Sequence, residues 1–109
     1  MHEEGAAVRI ILSTCGDRAE ADRISHVLVE SELAACVNLV PGVQSVYRWQ
    51  GKVESAIEIL LVIKTSSARV KEVEKAVAEL HSYAVPEFLV LEVQGGSEPY
   101  LDWLFGNLK

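Results

Sequence analysis

Short runs of apolar, mostly β-branched residues alternate along the chain with segments in which apolar residues recur every three or four positions. Runs of the first kind predict β-strands and segments of the second kind predict amphipathic helices. The apolar runs cover residues 8–12, 35–50, 52–64 and 88–93, and the helical spacing covers residues 18–33, 66–81 and the segment from Ser97 onward. The pattern therefore predicts the order βαββαβ followed by a C-terminal helix.

Local signals mark where these elements begin and turn. Asp17 with Glu20 three residues later has the form of a capping box at the start of the first helix. Pro41–Gly42 interrupts the second run, and because proline cannot donate to a strand ladder, it predicts either a bulge in one long strand or a break between two. Gln50–Gly51 predicts a hairpin turn, and Pro99 lies in the first turn of the terminal helix.

The predicted order is that of the split βαβ, ferredoxin-like sandwich of the α+β class, with an antiparallel sheet and both helices on one face. Residues 10–12, 59–63 and 88–91 are apolar at consecutive positions, whereas a strand buried on one face should alternate. The second face must therefore also be covered. Hairpin arms of about 13 residues would span roughly 40 Å, and an overhanging edge of that length favours pairing with another copy of the chain. We expect a homo-oligomer with closed symmetry.

Length and charge narrow the class of protein. The 109 residues are enough for one domain, of which we expect residues 1–6 to be frayed. Sixteen acidic residues against ten basic ones give a net charge of -6, which excludes a sequence-independent grip on nucleic acid and attraction to an anionic membrane. The longest apolar runs are far shorter than the roughly 20 residues that cross a bilayer.

The start of the chain and its cysteines bear on the compartment. The first five residues are acidic and polar, unlike a secretory signal. The two cysteines have no CxxC spacing, so neither a disulfide scaffold nor a structural zinc site is indicated. We expect a cytoplasmic location.

Three histidines are candidates for metal or acid–base chemistry. His2 lies in the segment expected to be frayed, and His26 falls on the outer face of the first helix, where a solvated side chain is the better interpretation. His81 ends the second helix and is followed by Tyr83 and Glu87, which brings imidazole, phenol and carboxylate together at one corner. A cation that interacts with the helix dipole is the structural alternative for His81.

The other candidates have structural alternatives too. Cys36 is interpreted as a small buried thiol, and Cys15, in the loop before the first helix, as a more exposed one without a histidine close in sequence. Tyr47, Arg48 and Trp49 near the hairpin tip suit a ligand platform, although interface packing is the preferred interpretation. Glu58 and Lys64, six residues apart on one strand, should share a face, where they must be paired or lie at an interface edge.

Several sequence blocks together resemble the CutA family of divalent-cation-tolerance proteins. They are LAACVNLVPG at 33–42, SVYRWQGKVE at 45–54, IKT at 63–65, HSYAVPE at 81–87 and YLDWL at 100–104. The resemblance implies a tight homotrimer with exchanged hairpins, clefts between subunits and a role in tolerance to copper and other divalent ions, without an established reaction. The residues that it places at the cleft are Tyr47, Trp49, Glu58, Lys64 and Tyr83, with His81 and Glu87 as candidate metal ligands.

The chain departs from the family pattern at three positions. Ser82 stands where proline is common, and Ala84 where a polar residue is frequent. Some members have a cysteine on the first strand, where this chain has Ser13, with Cys15 two residues further on. Copper as the bound ion, with His81 as its primary ligand, is the prediction. Glu87 or a residue of a neighbouring subunit would complete the site, and binding should weaken as the imidazole is protonated.

Two other functions are compared with metal tolerance, namely an acylphosphatase-type enzyme and a PII-like signalling protein. Residues 42–48 superficially resemble the phosphate loop of acylphosphatases, but the motif is incomplete and follows the first helix instead of the first strand, so an enzyme is not expected. A PII-like signalling trimer that binds a small anionic ligand between subunits is the remaining alternative, although the sequence lacks a glycine-rich phosphate cradle.

Overall fold

The computed structural model describes residues 7–109; the predicted fraying of residues 1–6 and His2 lie outside this range. Its elements are β1 (Val8–Cys15), α1 (Arg18–Glu30), β2 (Cys36–Trp49), β3 (Lys52–Ser66), α2 (Val70–Leu80), β4 (Leu89–Glu92) and α3 (Glu98–Gly106). A short 3-10 turn, Ser67–Arg69, leads into α2. The predicted order of βαββαβ plus a C-terminal helix is confirmed.

The four strands form one sheet in the order β2-β3-β1-β4, and every neighbouring pair is antiparallel. The ferredoxin-like fold is therefore confirmed. The face that carries Ile11, Leu61 and Ile63, here called the helix face, packs against α1 and α2 and forms the main core. The opposite face, here called the open face, carries Leu12 and its cross-strand partner Val62.

Helix α1 ends three residues earlier than the predicted 18–33. Glu32 adopts a positive φ of 61°, and the backbone N–H groups of Leu33 and Ala34 both donate to the Leu28 carbonyl, as at the end of a helix. This turn directs Leu33 and Ala34 into the core, where Leu33 is 7% exposed and Ala34 is fully buried. Their apolar character therefore reflects burial after the helix and not a continuation of its stripe.

The predicted capping box is half correct. The Asp17 side chain accepts a hydrogen bond from the Ala19 N–H, which confirms Asp17 as the N-cap of α1. The Glu20 carboxylate does not complete the box; it is buried and accepts two hydrogen bonds from Ser82. Glu20 therefore bonds to Ser82, far away in the sequence, instead of to the N-terminus of its own helix.

Helix α3 covers one end of the open face. Leu104, which is 1% exposed, packs with Val8 and Ala35 in a second, smaller core. Beyond α3 the open face remains apolar and partly exposed, with Leu89 at 57% and Leu91 at 47% exposure. The covering predicted for the second face is thus only partly provided within the chain.

Strands β2 and β3 form a hairpin that gives the molecule a long axis of 49 Å. Val40 pairs with Leu60 but Val43 pairs with Glu58, so β2 carries one extra residue at Pro41–Gly42. One long strand with a bulge is therefore correct. Because a bulge of one residue exchanges the faces of all later side chains, it brings the odd-numbered residues of the outer half of β2 onto the open face.

The hairpin tip has the predicted turn. Gln50 and Gly51 have φ angles of 51° and 80°, and positive φ at both central residues is the requirement of a type I′ turn. This turn fixes the pairing of Trp49 with Lys52 and of Tyr47 with Glu54. It thereby sets the positions of both hairpin aromatics.

Candidate functional site

The segment between α2 and β4 crosses the end of β1 and joins the two faces of the sheet. His81 is the C-cap of α2, and its N–H donates to the Val77 carbonyl. The His81 ring lies beside Cys15 on the helix face, whereas two residues later the Tyr83 hydroxyl reaches Glu58 on the open face. Residues 81–87 therefore connect a buried cluster with an exposed groove.

The His81 imidazole is buried and both of its nitrogens are engaged. Nε2 lies 2.7 Å from the Thr14 carbonyl oxygen, and Nδ1 lies 3.0 Å from the Tyr83 backbone nitrogen. Because a carbonyl only accepts and a backbone amide only donates, Nε2 carries the proton and Nδ1 accepts. These two bonds fix the tautomer and the orientation of the ring.

Cys15 and Glu20 lie against the same ring. The Cys15 Sγ is 3.7 Å from His81 Nε2, and a Glu20 carboxylate oxygen is 3.5 Å from Nδ1. All three side chains are buried, and their ligand atoms lie within 4.8 Å of one another. We call this group the Cys15–Glu20–His81 cluster.

The structure corrects both cysteine interpretations. Cys15 is not in an exposed loop; it is the last residue of β1 and fully buried, while Cys36 is half-buried instead of fully buried. Burial, and then the charges of Glu20, Glu58 and Asp17, raise the pKa of the Cys15 thiol to about 11. The thiol is therefore protonated near neutral pH. Sequence spacing could not reveal the pair, because His81 is 66 residues away from Cys15.

A groove with a volume of about 810 Å³ lies on the open face, between the hairpin and residues 83–87. Three aromatic rings and three carboxylates line it, together with smaller side chains, and none of its lining residues in the described part of the chain is a lysine, arginine or histidine. The lining residues are Thr14, Ser45, Val46, Tyr47, Trp49, Glu54, Glu58, Tyr83, Ala84, Val85, Pro86 and Glu87. This lining disfavours an anionic ligand of the PII-like kind.

Tyr83 links the groove to the cluster. Its hydroxyl donates to Glu58 at 2.8 Å, and its ring centroid lies 4.6 Å from that of His81. Burial, and then the hydrogen bond to Glu58, raise the pKa of the Tyr83 phenol well above its usual range. The hydroxyl therefore remains a proton donor to Glu58 at any physiological pH.

The structure separates the predicted site residues into three groups. Five line the groove, namely Tyr47, Trp49, Glu58, Tyr83 and Glu87. His81 lies behind the groove, and within residues 7–109 no hydrogen bond or ion pair joins it to Glu87. Lys64 lies elsewhere, with its Nζ 5.8 Å from the Tyr100 ring centroid. Glu58 and Lys64 share the open face, as their spacing predicted. The Glu58 carboxylate, however, has the Tyr83 hydroxyl as its hydrogen-bond donor.

Gly16 leaves room for the Tyr83 hydroxyl because glycine has no Cβ. A Cβ at this position would lie 2.7 Å from the Tyr83 hydroxyl oxygen, so Gly16→Ala should displace the phenol from Glu58. We expect the pKa of Tyr83 to fall towards the ordinary tyrosine value and the stability to decrease by about 1 kcal/mol, the usual contribution of such a hydrogen bond. NMR titration of ring-labelled tyrosine would measure the first effect.

Gly95→Ala is the matched control, because a Cβ there meets no atom within 4 Å. It should leave the Tyr83 titration unchanged. A Tyr83 pKa that is the same in the Gly16→Ala variant and the parent would contradict the assigned role of Gly16.

Known proteins are similar to this chain in sequence and fold. The CutA1 divalent ion tolerance protein family model matches residues 9–107. The divalent-cation tolerance protein CutA of Thermus thermophilus is 44% identical over 98 residues, covering 90% of this chain and 95% of that protein. The chloroplastic protein CutA of Arabidopsis thaliana is 42% identical over 100 residues, covering 92% of this chain but 55% of its relative.

Solved structures agree. CutA from Xylella fastidiosa superposes with a TM-score of 0.92 at 43% identity, covering 94% of this chain and 99% of that chain. The Thermus thermophilus divalent cation tolerance protein gives a TM-score of 0.91 at 42% identity with the same coverage of both chains. Family model, sequence identity and fold agree over nearly the whole of residues 7–109, and the chain belongs to the CutA1 divalent ion tolerance protein family.

Proposed function

We propose that this protein is a homotrimeric divalent-cation-tolerance protein that binds copper or another divalent transition metal beside a cleft between subunits. The observation that carries the proposal is the convergence of His81, Cys15 and Glu20, whose ligand atoms lie within 4.8 Å of one another. His81 would be the primary ligand. Glu87, on the groove side of the same segment, or a residue of a neighbouring subunit would complete the site.

The donor set fits such a metal. Imidazole and thiolate suit copper and zinc, and the three donors would move closer together around an ion, because ligands with bonds of about 2.0–2.3 Å to one ion lie at most about 4.6 Å apart. The hydroxyl of Ser13 lies on the helix face two residues before Cys15, and it is buried without a hydrogen-bond partner among residues 7–109. An unsatisfied buried hydroxyl is rare in proteins and supports a ligand or ordered water in this part of the core.

Internal hydrogen bonds and protons compete with the metal. A metal on His81 must replace one of the two bonds of its ring, and a metal on Cys15 must displace the thiol proton. Since the Cys15 pKa is about 11, each pH unit below it weakens a thiolate complex by about tenfold. We therefore expect modest affinity that rises with pH.

Exposed apolar surface supports the trimer. Val46, Val53 and Ile57, on the helix-face side of the hairpin, are 68%, 65% and 64% exposed because the hairpin extends beyond the helices. On the open face, Leu89 and Leu91 are also about half exposed. Association of copies through both surfaces would bury these apolar side chains. Exposed apolar patches of this kind mark interaction surfaces.

A binding protein fits the structure better than an enzyme. Residues 43–48, within the segment that resembles an acylphosphatase phosphate loop, are paired with β3 from Glu58 to Val53. Their backbone belongs to a strand ladder and not to a loop that cradles phosphate. The proposed role therefore includes no reaction.

The proposed compartment is the cytoplasm, on the basis of two free cysteines. The span from residue 7 to residue 109 contains no helix that has both the length and the apolarity to cross a membrane.

Replacing His81 by Ala tests the metal site. Calorimetric titration of metal-free parent protein with Cu²⁺ or Zn²⁺ should show binding, and the variant should bind at least about 100-fold more weakly because the primary ligand is gone. The affinity of the parent protein for the metal ion should rise between pH 6 and pH 8. His26→Ala is the matched control, since His26 is exposed and bonded to the Asp22 carbonyl of its own helix.

His81 also packs in the interior, so its loss alone could unfold the chain. Cys15→Ala provides a second variant, because it removes another donor but keeps a small apolar side chain. Unchanged affinity in a folded His81→Ala or Cys15→Ala variant would place the metal elsewhere.

A further inference from the structure

Apart from Glu87, the residues that line the groove take no part in the proposed metal site. The rings of Tyr47, Trp49 and Tyr83 line it and are 40%, 46% and 38% exposed, respectively. Three carboxylates, those of Glu54, Glu58 and Glu87, share the same lining, to which residues 7–109 contribute no basic side chain. Aromatic faces and carboxylates together are the usual recognition surface for organic cations.

Glu58 has no positively charged partner among residues 7–109 of this chain. Its side chain is only 8% exposed, and its one hydrogen-bond partner within residues 7–109 is the neutral hydroxyl of Tyr83. A buried carboxylate normally has a cationic partner, because removing a charge from water without compensation is costly. A bound cation would supply this partner.

The size and the apolar lining indicate an organic molecule and not a bare ion. A volume of about 810 Å³ lies within the range of small-molecule sites, which is roughly 300–1,000 Å³. Val85 and Pro86 add apolar surface between the polar groups. Hydrocarbon contacts of this kind contribute nothing to the binding of a single metal ion.

We propose that the groove binds an organic ammonium cation, with the nitrogen at Glu58 and the hydrocarbon part against the aromatic rings of the hairpin. The bulge at Pro41–Gly42 creates this arrangement, because it brings Tyr47 and Trp49 onto the face that carries Glu58. The proposal goes beyond metal binding and does not depend on it. The binding partner is defined by positive charge combined with an apolar chain.

Calorimetry with butane-1,4-diammonium as the probe tests the proposal, using chelator-treated protein at low salt. We expect a dissociation constant below about 1 mM and at least about tenfold weaker binding of butane-1,4-diol, which has the same length but no charge. Raising the salt concentration should weaken the diammonium complex. Equal binding of diammonium and diol, or no diammonium binding, would overturn the proposal.

Glu58→Gln keeps the shape of the side chain and an acceptor for Tyr83 while removing the charge. It should weaken diammonium binding by about tenfold or more. Glu79→Gln on α2 makes the same change of net charge outside the groove and should leave the affinity unchanged. Equal effects of the two variants would show that only overall charge matters and would overturn the proposal.

An NMR measurement on the parent protein remains informative if Glu58→Gln fails to fold. The chain has two tryptophans, Trp49 in the groove and Trp103 on α3. Diammonium should shift the indole N–H signal of Trp49 and leave that of Trp103 in place. A shift of Trp103 alone, of both signals or of neither would contradict binding in the groove.

Discussion

Replacing Leu61 by Asp is expected to prevent folding. Leu61 is fully buried in the centre of β3, on the helix face between its cross-strand partners Ser13 and Leu39. Losing a buried leucine costs about 2–5 kcal/mol, and an unpaired buried carboxylate adds to this cost. The total is comparable with the 5–15 kcal/mol stability of a typical domain. Circular dichroism and a thermal melt would show the loss of the cooperative transition.

Leu61→Met is the matched control, because it conserves volume and apolar character and should cost less than about 1.5 kcal/mol. A Leu61→Asp variant that melts within about 1 kcal/mol of the parent would show that the helix face has been assigned incorrectly.

A charge at Val62 is expected to abolish the proposed trimer. Val62 lies one residue further along β3, on the open face, and is paired with Leu12 and Asn38. The open face keeps half-exposed leucines in the single chain, so a carboxylate there would be tolerated by a monomer but desolvated between sheets. Light scattering should report a trimer for the parent at micromolar concentration and smaller species for Val62→Asp.

Val62→Thr has nearly the same shape without a charge and should remain trimeric. If Val62→Asp assembles like the parent, this part of the open face is not an interface. A stable folded monomer of the parent would contradict the trimer itself.

The positions of most elements could be predicted from local patterns. Alternation and helical spacing act through neighbouring residues, and so do the turn at Gln50–Gly51 and the cap at Asp17. The limits of α1 and β4 could not be predicted in this way. Leu33 and Ala34 have apolar side chains because they are buried in the core, and not because they continue the helix. Strand β4, predicted over 88–93, covers Leu89–Glu92, which pair with residues 9–12 of β1.

The candidate site was predictable only in part. The block from His81 to Glu87 and the hairpin aromatics are recognisable as motifs, but nothing local indicates that Tyr83, Glu87 and both hairpin aromatics line one groove while His81 lies behind it. Cys15 and Glu20 were missed as partners of His81. Local sequence signals predict a loop position for Cys15 and a capping role for Glu20, and neither prediction indicates a contact with His81.

The sequence by itself determined the order of elements, the irregularity at Pro41–Gly42, the hairpin turn and the excess of apolar surface, because each depends on the periodicity or conformational preference of residues close in the chain. Only the tertiary structure decided the chemistry of the site. Antiparallel pairing and the crossing of residues 81–87 over the end of β1 bring together side chains more than 60 residues apart, such as Cys15 and His81. Contacts at that separation are selected by the packing of the whole domain, which local preferences do not encode.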